Sequence, residues 1–295
     1  MTALGEVITA AVTPFSDDLA VDFSGFASLC SDLIASGSDG LVVAGTTGEA
    51  PTLEDDEKLE LFRVAREVVP NGSILAGTGT ASTAHSVALT KRANETGVDG
   101  FLVVVPYYNR PPARGIVEHF RAIGAATDLP LMIYNIPKRT AIALERATIA
   151  ALADIPNVAA IKQADPDLEL ARFIVEETPL ALYAGNDDLV IPFTELGGVG
   201  GVFVYSHLVG ASVKKIIGLV KAGDRSAAES VFAEIAPALD AVEAAPNPTA
   251  LKAALKLLGR GNGRVRLPLS EPEPELVQVI ASHLERAGFQ TAALA

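Results

Sequence analysis

Eight short apolar runs, separated by longer segments with helical spacing, are the feature that most limits how this chain can fold. The runs lack the in-and-out alternation of a strand that faces water on one side. They are Glu6–Val12, Gly40–Gly45, Ser73–Gly77, Gly100–Val105, Leu129–Tyr134, Val158–Lys162, Leu180–Gly185 and Gly200–Tyr205. Continuous apolar runs of this kind are typical of parallel strands that helices cover on both faces.

Two α/β architectures accommodate eight such strand–helix units, a closed barrel and an open doubly wound sheet. An open sheet usually carries a glycine-rich dinucleotide turn after its first strand, whereas VTPFSDD follows here, and GGVGGV lacks the required spacing. We therefore predict a (β/α)8 TIM barrel over residues 1–222. Three further helical segments follow proline-containing breaks and predict a C-terminal helical appendage, a three-helix extension over residues 223–295.

Composition and charge exclude several classes of protein. With 49% hydrophobic residues in 295, the chain can form a large core, and a net charge of −13 without long Lys or Arg clusters argues against nucleic-acid binding. The longest stretch without charged residues, Leu196–Val213, contains five glycines and is read as a buried strand and loop, so we expect no membrane span. Cys30 is the single cysteine, and the opening residues resemble no secretory signal. We expect a cytoplasmic protein.

Lys162 ends the sixth run, in the segment NVAAIKQAD. Burial disfavours the ammonium form and can lower a lysine pKa by roughly 3–5 units. A neutral amine attacks ketones and aldehydes to form a Schiff base. The alternative is a lysine whose stem covers apolar surface while its charge reaches solvent. Hydroxyl groups at the ends of neighbouring runs favour catalysis, because barrel active sites lie at the carboxyl ends of the strands.

Other reactive side chains follow the runs at the same predicted edge of the barrel. Thr46 and Thr47 stand between two glycines, in a turn that could hold a carboxylate or simply begin a helix. Tyr134 could transfer protons beside the amine or be a core residue, and Arg139 suits either a substrate carboxylate or a surface salt bridge. Tyr108 lies in the proline-bounded loop PYYNRPP, which favours a site or an interface over the core.

The sequence contains no recognised metal or nucleotide motif. Its four histidines are scattered without H-E-x-x-H spacing, and neither a P-loop nor a G-x-S-x-G elbow occurs. We therefore expect no metal site and no cofactor.

Four motifs, GTTGEAPTL, PYYNRPP, YNIPKRT and AAIKQAD, are arranged in an order and at intervals that resemble the dihydrodipicolinate synthase / N-acetylneuraminate lyase family of Schiff-base aldolases. The similarity covers essentially the whole chain, including its helical tail. The resemblance implies that pyruvate forms an imine with Lys162, and that the derived enamine attacks an aldehyde. The covalent partner is the substrate itself, so the resemblance implies no cofactor.

The resemblance also implies a role for each hydroxyl residue. Tyr134 would act as general acid and base, and Thr46 and Tyr108 would complete a proton relay. Thr47 would hold the pyruvate carboxylate. In this family Tyr108 would reach in from a neighbouring subunit, which implies a homo-oligomer, either a dimer or a tetramer.

The identity of the aldehyde depends on the rest of the predicted rim. The paired threonines and Arg139 resemble the members that join pyruvate to L-aspartate 4-semialdehyde, giving 4-hydroxy-tetrahydrodipicolinate for lysine and diaminopimelate biosynthesis. Gly185 and Phe203 are expected to contact substrate. Gln163, Phe203 and Tyr205 depart from the pattern common in the family. A sibling enzyme acting on a 2-keto-3-deoxy sugar acid or on N-acetylneuraminate is the alternative. A non-catalytic keto-acid-binding barrel is the alternative from a different class.

Regulation by lysine is a further expectation from the resemblance. Lysine-inhibited members bind lysine between subunits through histidine, asparagine and glutamate side chains, and the matching positions here are Asp55, Lys58, Ala81 and His85. Lys58 and a protonated His85 would repel the amines of lysine, and the Ala81 side chain offers no hydrogen bond. We expect weak inhibition by lysine or none.

Overall fold

A closed barrel of eight parallel strands forms the centre of the protein in a computed structural model that describes residues 4–292. Each strand pairs with the next along the chain, and the last pairs with the first. The strands are β1 (Val7–Ala10), β2 (Gly40–Val43), β3 (Ser73–Gly77), β4 (Gly100–Val104), β5 (Leu131–Asn135), β6 (Val158–Gln163), β7 (Ala181–Ala184) and β8 (Gly200–Phe203). The predicted (β/α)8 TIM barrel is confirmed.

Helices between and after the strands form the outer layer. The α-helices are α1 (Phe23–Ala35), α2 (Asp55–Val68), α3 (Thr83–Ala93), α4 (Ala113–Gly124), α5 (Pro137–Thr140), α6 (Arg146–Ala153), α7 (Leu168–Glu177), α8 (Val190–Glu195), α9 (Ser206–Lys221), α10 (Arg225–Glu243), α11 (Thr249–Leu257) and α12 (Pro274–Arg286). The helices expected after residue 222 are α10, α11 and α12. Within residues 4–292, no helix combines the length and apolar character needed to span a membrane.

Two concentric layers of apolar side chains hold the barrel together. Side chains that point into the lumen form one cluster, which includes Ile8, Val42, Leu75, Leu102, Met132 and Val202. A larger cluster fills the space between strands and helices, and α10 joins it through Val231, Ile235 and Leu239. The C-terminal extension therefore packs directly on the barrel. Because the lumen is a packed core, reactive side chains have room only near the strand ends.

The loop that joins β2 to α2 is fixed at its far end by a capping box. The Glu54 N–H donates to Glu57 Oε2 at 2.9 Å, while the Glu54 side chain accepts from the backbone of Glu57. Acidic residues in the first turn of α2 also suit the positive end of the helix dipole. The acidic segment EDDE thus begins a helix, and it holds the end of the loop that contains Thr46 and Thr47.

Candidate active site

Lys162 and Tyr134 face each other at the carboxyl end of the barrel. They are register partners on the adjacent strands β6 and β5, and the Lys162 side chain is almost completely buried. The Lys162 Nζ lies 4.3 Å from the centroid of the Tyr134 ring. The two groups that sequence reasoning assigned to imine formation are therefore in direct contact.

Burial lowers the pKa of Lys162 from 10.5 to about 8. Desolvation of the ammonium is the main cause, and the positive charge of Arg139 acts in the same direction. The negative charge of Asp187 opposes both by favouring the ammonium form. Roughly one-tenth of Lys162 is consequently neutral and nucleophilic at pH 7, far more than for an unperturbed lysine.

Tyr134 remains protonated over the same pH range. Burial raises the pKa of its phenol to about 12, although the charge of Arg139 and the nearby Thr46 hydroxyl act to lower it. A neutral phenol beside an amine can donate a proton to an oxygen that leaves and accept one later. The contact with Thr46 links Tyr134 to the loop after β2.

A sharp turn places the two threonines at the rim. Ala44 and Glu49, which flank the turn, both have left-handed backbone conformations, with φ of 54° and 56°. The Glu49 N–H donates to the Thr46 carbonyl at 3.1 Å. Gly48 leaves little space for a side chain, since a Cβ there would lie 3.1 Å from the Ala11 carbonyl oxygen. Thr47 is buried, whereas Thr46 is only partly so.

A cavity of about 670 Å³ opens beside these residues. Thr46, Tyr107, Tyr134 and Arg139 are part of its lining, and Arg139 is an exposed residue of the short helix α5. The outer wall of the cavity includes Asp55, Lys58 and His85. A substrate carboxylate near Arg139 would therefore lie within the same cavity as the Tyr134 phenol.

Asp55 is surrounded by nitrogen-bearing side chains in that outer wall. Its carboxylate lies 3.6 Å from Lys58 Nζ, 2.9 Å from His85 Nε2 and 4.0 Å from Arg92 Nη1. Among the four positions matched to lysine binding, only Asp55 has a carboxylate, and these contacts already occupy it. Ala81 is not part of the cavity lining, and the expectation of weak inhibition by lysine stays a prediction.

Tyr108 is not brought to Lys162 within its own chain. Its side chain is 92% exposed, and its φ of 72° is left-handed, an unusual conformation for tyrosine.

Gly185 lies at the end of β7 beside the strand of Lys162, and its N–H donates to the Gln163 carbonyl at 2.8 Å. A Cβ at Gly185 would lie 2.7 Å from Ala164 Cβ, so only glycine fits this backbone path.

Phe203 corrects one sequence expectation. Its side chain is fully buried in the outer cluster, between the barrel and the helices, where it packs edge-to-face on Tyr205 at 5.7 Å between centroids. Val202, its neighbour in β8, is the residue that points into the lumen. Successive strand residues face opposite sides, so the Phe203 side chain points away from the site rather than toward a substrate.

Gln163 also points away from the lumen, because it follows Lys162 in β6. Its Oε1 accepts a hydrogen bond from Asn135 Nδ2 at 2.8 Å. Asn135 in turn follows Tyr134 in β5, so this buried amide pair lies behind Lys162 and Tyr134. The replacement of an acid by Gln163 therefore leaves the lumen unchanged.

Sequence reasoning missed Asp187, which follows β7 in the segment GNDD. Its two carboxylate oxygens accept the N–H groups of Val204 and Tyr205 at 2.9 and 3.0 Å. Burial raises the pKa of Asp187 to about 7, although both hydrogen bonds and the charge of Lys162 oppose that shift. The sequence did contain a signal for Asp187, because it is an acidic residue placed just after a buried strand at the predicted active-site edge.

Contacts from the C-terminal extension were also missed. Asn247 Nδ2 donates to Thr47 Oγ1 at 3.0 Å, and Lys252 Nζ forms a buried ion pair with Glu49. Desolvation lowers the pKa of Lys252 to about 8 despite the opposing charge of Glu49. No local sequence pattern relates residues about two hundred positions apart.

Across residues 4–292, the structure has no group of three or more His, Cys, Asp or Glu side chains that could hold a metal ion.

Comparisons with known proteins agree over almost the whole chain. The sequence model of the Dihydrodipicolinate synthetase family matches residues 3–287. A 4-hydroxy-tetrahydrodipicolinate synthase of Moorella thermoacetica is 43% identical over 288 residues, which are 97% of this chain and 99% of that protein.

Solved structures give the same result. DHDPS of Cyanidioschyzon merolae with lysine bound superimposes with a TM-score of 0.94 at 41% identity, covering 97% of this chain and 98% of the other. The chloride-inhibited dihydrodipicolinate synthase of Acinetobacter baumannii complexed with pyruvate gives 0.93 at 32% identity, covering 97% and 99%. On this agreement of sequence, fold and coverage, the chain belongs to the dihydrodipicolinate synthetase family.

Proposed function

We propose that this protein condenses pyruvate with L-aspartate 4-semialdehyde to form 4-hydroxy-tetrahydrodipicolinate, through a Schiff base on Lys162. The observation that carries the proposal is the contact between a buried lysine of lowered pKa and Tyr134. The names of relatives support the reaction, since one is a 4-hydroxy-tetrahydrodipicolinate synthase and another binds pyruvate. The covalent partner is pyruvate itself, so the reaction requires no cofactor.

Bond formation begins at the Lys162 amine. The neutral amine adds to the ketone carbon of pyruvate, and loss of water from the adduct leaves a protonated imine. Loss of a methyl proton gives an enamine, whose carbon attacks the aldehyde and forms the new carbon–carbon bond. The amino group of the second substrate then displaces Lys162 from the imine carbon, which closes the ring and regenerates the free amine.

Proton transfer falls to Tyr134 and its partners. The Tyr134 phenol would donate the proton that lets the hydroxyl of the first adduct leave as water, and the nearby Thr46 hydroxyl would supply a path for its return. Tyr108 would extend this path from a neighbouring subunit of a dimer or tetramer. Its high exposure supports this role, because a side chain exposed in one subunit can contact a neighbouring one.

Different groups would bind the two substrate carboxylates. Thr47 and the N–H groups of its turn would bind the carboxylate of pyruvate. Arg139, at the mouth, would bind the carboxylate of aspartate semialdehyde with a bidentate guanidinium. The positive charge of Arg139 at the mouth of the cavity would favour a short aldehyde with its own carboxylate over the uncharged sugar aldehyde of a sibling enzyme. Gly185 would border the aldehyde through its backbone.

Imine trapping tests the proposal directly. Borohydride added with pyruvate should leave one reduced adduct per chain, located on the peptide that contains Lys162. Lys252 is the internal control, because its pKa is also lowered to about 8 but its amine is paired with Glu49. An adduct on Lys252, or no adduct at all in the wild-type protein, would refute the Schiff-base mechanism at Lys162. Full biological activity of Lys162→Ala would favour a non-catalytic binding barrel.

The aldehyde is tested separately from pyruvate. We expect turnover with L-aspartate 4-semialdehyde and none with N-acetylneuraminate or 2-keto-3-deoxy sugar acids. Arg139→Gln should raise the KM for the semialdehyde while the pyruvate adduct still forms. Faster turnover of a sugar acid would identify a sibling aldolase instead.

Subunit mixing tests the role of Tyr108. Tyr108→Phe and Lys162→Met should each be nearly inactive, because each removes a different part of every site. In a random mixture, heterodimers contain one complete site, so about a quarter of the wild-type activity should return. No recovery in mixtures shown to contain heterodimers would place Tyr108 outside the partner's site.

The cytoplasm is the location we assign to the protein. Cys30 is a buried free thiol, which suits a reducing compartment. The acidic composition is also consistent with a protein that binds its anionic substrates only at local cations such as Arg139.

A further inference from the structure

The Thr47 hydroxyl receives a hydrogen bond from outside the barrel. The donor is Asn247 Nδ2, at 3.0 Å, in the short connection between α10 and α11. Thr47 follows β2 in the first half of the barrel, so the C-terminal extension reaches across to the rim. The contact is partly buried, and the Thr47 side chain itself is buried.

This contact determines which way the Thr47 hydroxyl can act. A hydroxyl group has one hydrogen to donate and can accept through its oxygen lone pairs. Because Oγ1 already accepts from Asn247, the hydroxyl hydrogen points elsewhere. Within residues 4–292, no acceptor takes that hydrogen, so it remains available to an anionic ligand.

The same extension also holds the end of the threonine turn. Glu49 closes the turn in a left-handed conformation, and its carboxylate is paired with Lys252 of α11. Its second oxygen accepts the N–H of Arg266 at 2.9 Å. Lys252 Nζ in addition donates to the Arg264 carbonyl at 2.8 Å. Both the side chain of Thr47 and the backbone at its turn are thus fixed by residues beyond α10.

We propose that Asn247 is a positioning residue that commits Thr47 to donate its hydroxyl hydrogen to the carboxylate of the keto-acid substrate. This inference rests on the proposed function, because it assumes that pyruvate binds above Lys162. A second observation agrees with a polar role, since Asn247 Oδ1 is buried without a hydrogen-bond partner in the part of the chain that the structure describes. A residue that served only to fill space would be less costly as an apolar side chain.

The role predicts coupling between two substitutions. Thr47→Val removes the hydroxyl, and Asn247→Ala leaves it but lets it rotate and find other partners. Each should raise the pyruvate concentration needed for half-maximal imine trapping. The increase should be about tenfold or more for Thr47→Val, which loses a hydrogen bond to a charged group, and about three- to tenfold for Asn247→Ala, the range of one ordinary hydrogen bond. In the Thr47→Val background, Asn247→Ala should have no further effect.

Two further variants separate positioning from structural support. Thr47→Ser keeps the hydroxyl, so Asn247→Ala should still weaken pyruvate binding in that background. Asn247→Asp should weaken it more than Asn247→Ala, because a carboxylate takes the Thr47 hydrogen and adds a negative charge. Wild-type kcat at saturating pyruvate should be largely kept by Asn247→Ala.

The experiment measures borohydride-trapped adduct against pyruvate concentration for each variant, with thermal unfolding measured in parallel. Equal effects of Asn247→Ala in the Thr47→Val and wild-type backgrounds would overturn the inference, as would an unchanged half-saturation. So would a weaker effect of Asn247→Asp than of Asn247→Ala in folded protein. Absence of an adduct in the wild-type protein would instead refute the proposed function, and this inference with it.

Discussion

The pH dependence of imine formation is the sharpest test of the lumen environment. Burial lowers the pKa of Lys162 from 10.5 to about 8. At pH 7 roughly one-tenth of the amine would be neutral, against roughly 0.03% for an unperturbed lysine, a gain of about 300-fold. Lys162 is charged below its pKa, so imine formation should increase about tenfold per pH unit up to about 8, and then level off.

Two substitutions should move this inflection in opposite directions. Asp187→Asn removes a negative charge that favours the ammonium, so the inflection should move to lower pH. Arg139→Gln removes a positive charge that disfavours it, so the inflection should move to higher pH. The Asp187 effect should be larger, because Asp187 is buried whereas water and salt screen the exposed Arg139.

Asp187 also shapes the lower part of the curve. Burial raises its pKa to about 7, so below that pH it takes up a proton and no longer supports the Lys162 ammonium. The lower limb should therefore be shallower than that of an isolated lysine. In Asp187→Asn this flattening should disappear.

The assay is quenched flow. Enzyme is mixed with subsaturating pyruvate at each pH, and the imine formed after a fixed short time is reduced with borohydride and counted by intact mass. The assay uses the pH of the inflection and not the amount of imine formed. A variant that is partly unfolded therefore still gives the pKa of Lys162. An inflection near 10, or shifts of the two variants in the same direction, would refute the account of Lys162.

Three other predictions concern stability and regulation. Lys252→Met should lower the free energy of unfolding by about 3–5 kcal/mol in urea titrations, because it leaves Glu49 buried and unpaired, and adding Glu49→Gln should restore part of it; a wild-type midpoint would contradict this. Phe203→Ala should cost about 3–5 kcal/mol of stability through the cavity it leaves, yet keep the KM of both substrates at 25 °C; a large change in KM with unchanged stability would return Phe203 to the site. Millimolar L-lysine should leave initial rates unchanged because the Lys58 ammonium repels its amines; strong inhibition at sub-millimolar lysine would contradict this.

Part of the site was predictable because barrels place chemistry at a known edge. Lys162 and Tyr134 each lie at the carboxyl end of an apolar run, and neighbouring parallel strands bring such ends together. The turn that carries Thr46 was predictable for the same reason. These predictions needed only the order of the strands and the rule for where their ends meet.

Side-chain direction was not predictable for every strand. Strands buried on both faces carry apolar residues at every position, so their sequence does not reveal which residues face the lumen. A shift of one residue reverses the two faces. Phe203 could therefore be assigned to the site from sequence, although the structure turns it toward the helices.

The sequence by itself predicted the eight strand–helix units, their closure into a barrel and the edge at which Lys162 stands. The spacing of apolar residues and the order of the segments can both be read along the chain. Only the tertiary structure decided the environment of that lysine. Burial, the charge of Asp187 and the hydrogen bond from Asn247 to Thr47 all join positions distant along the chain. Desolvation and Coulomb interactions depend on distance in space, and the packing of the barrel and its C-terminal helices sets that distance.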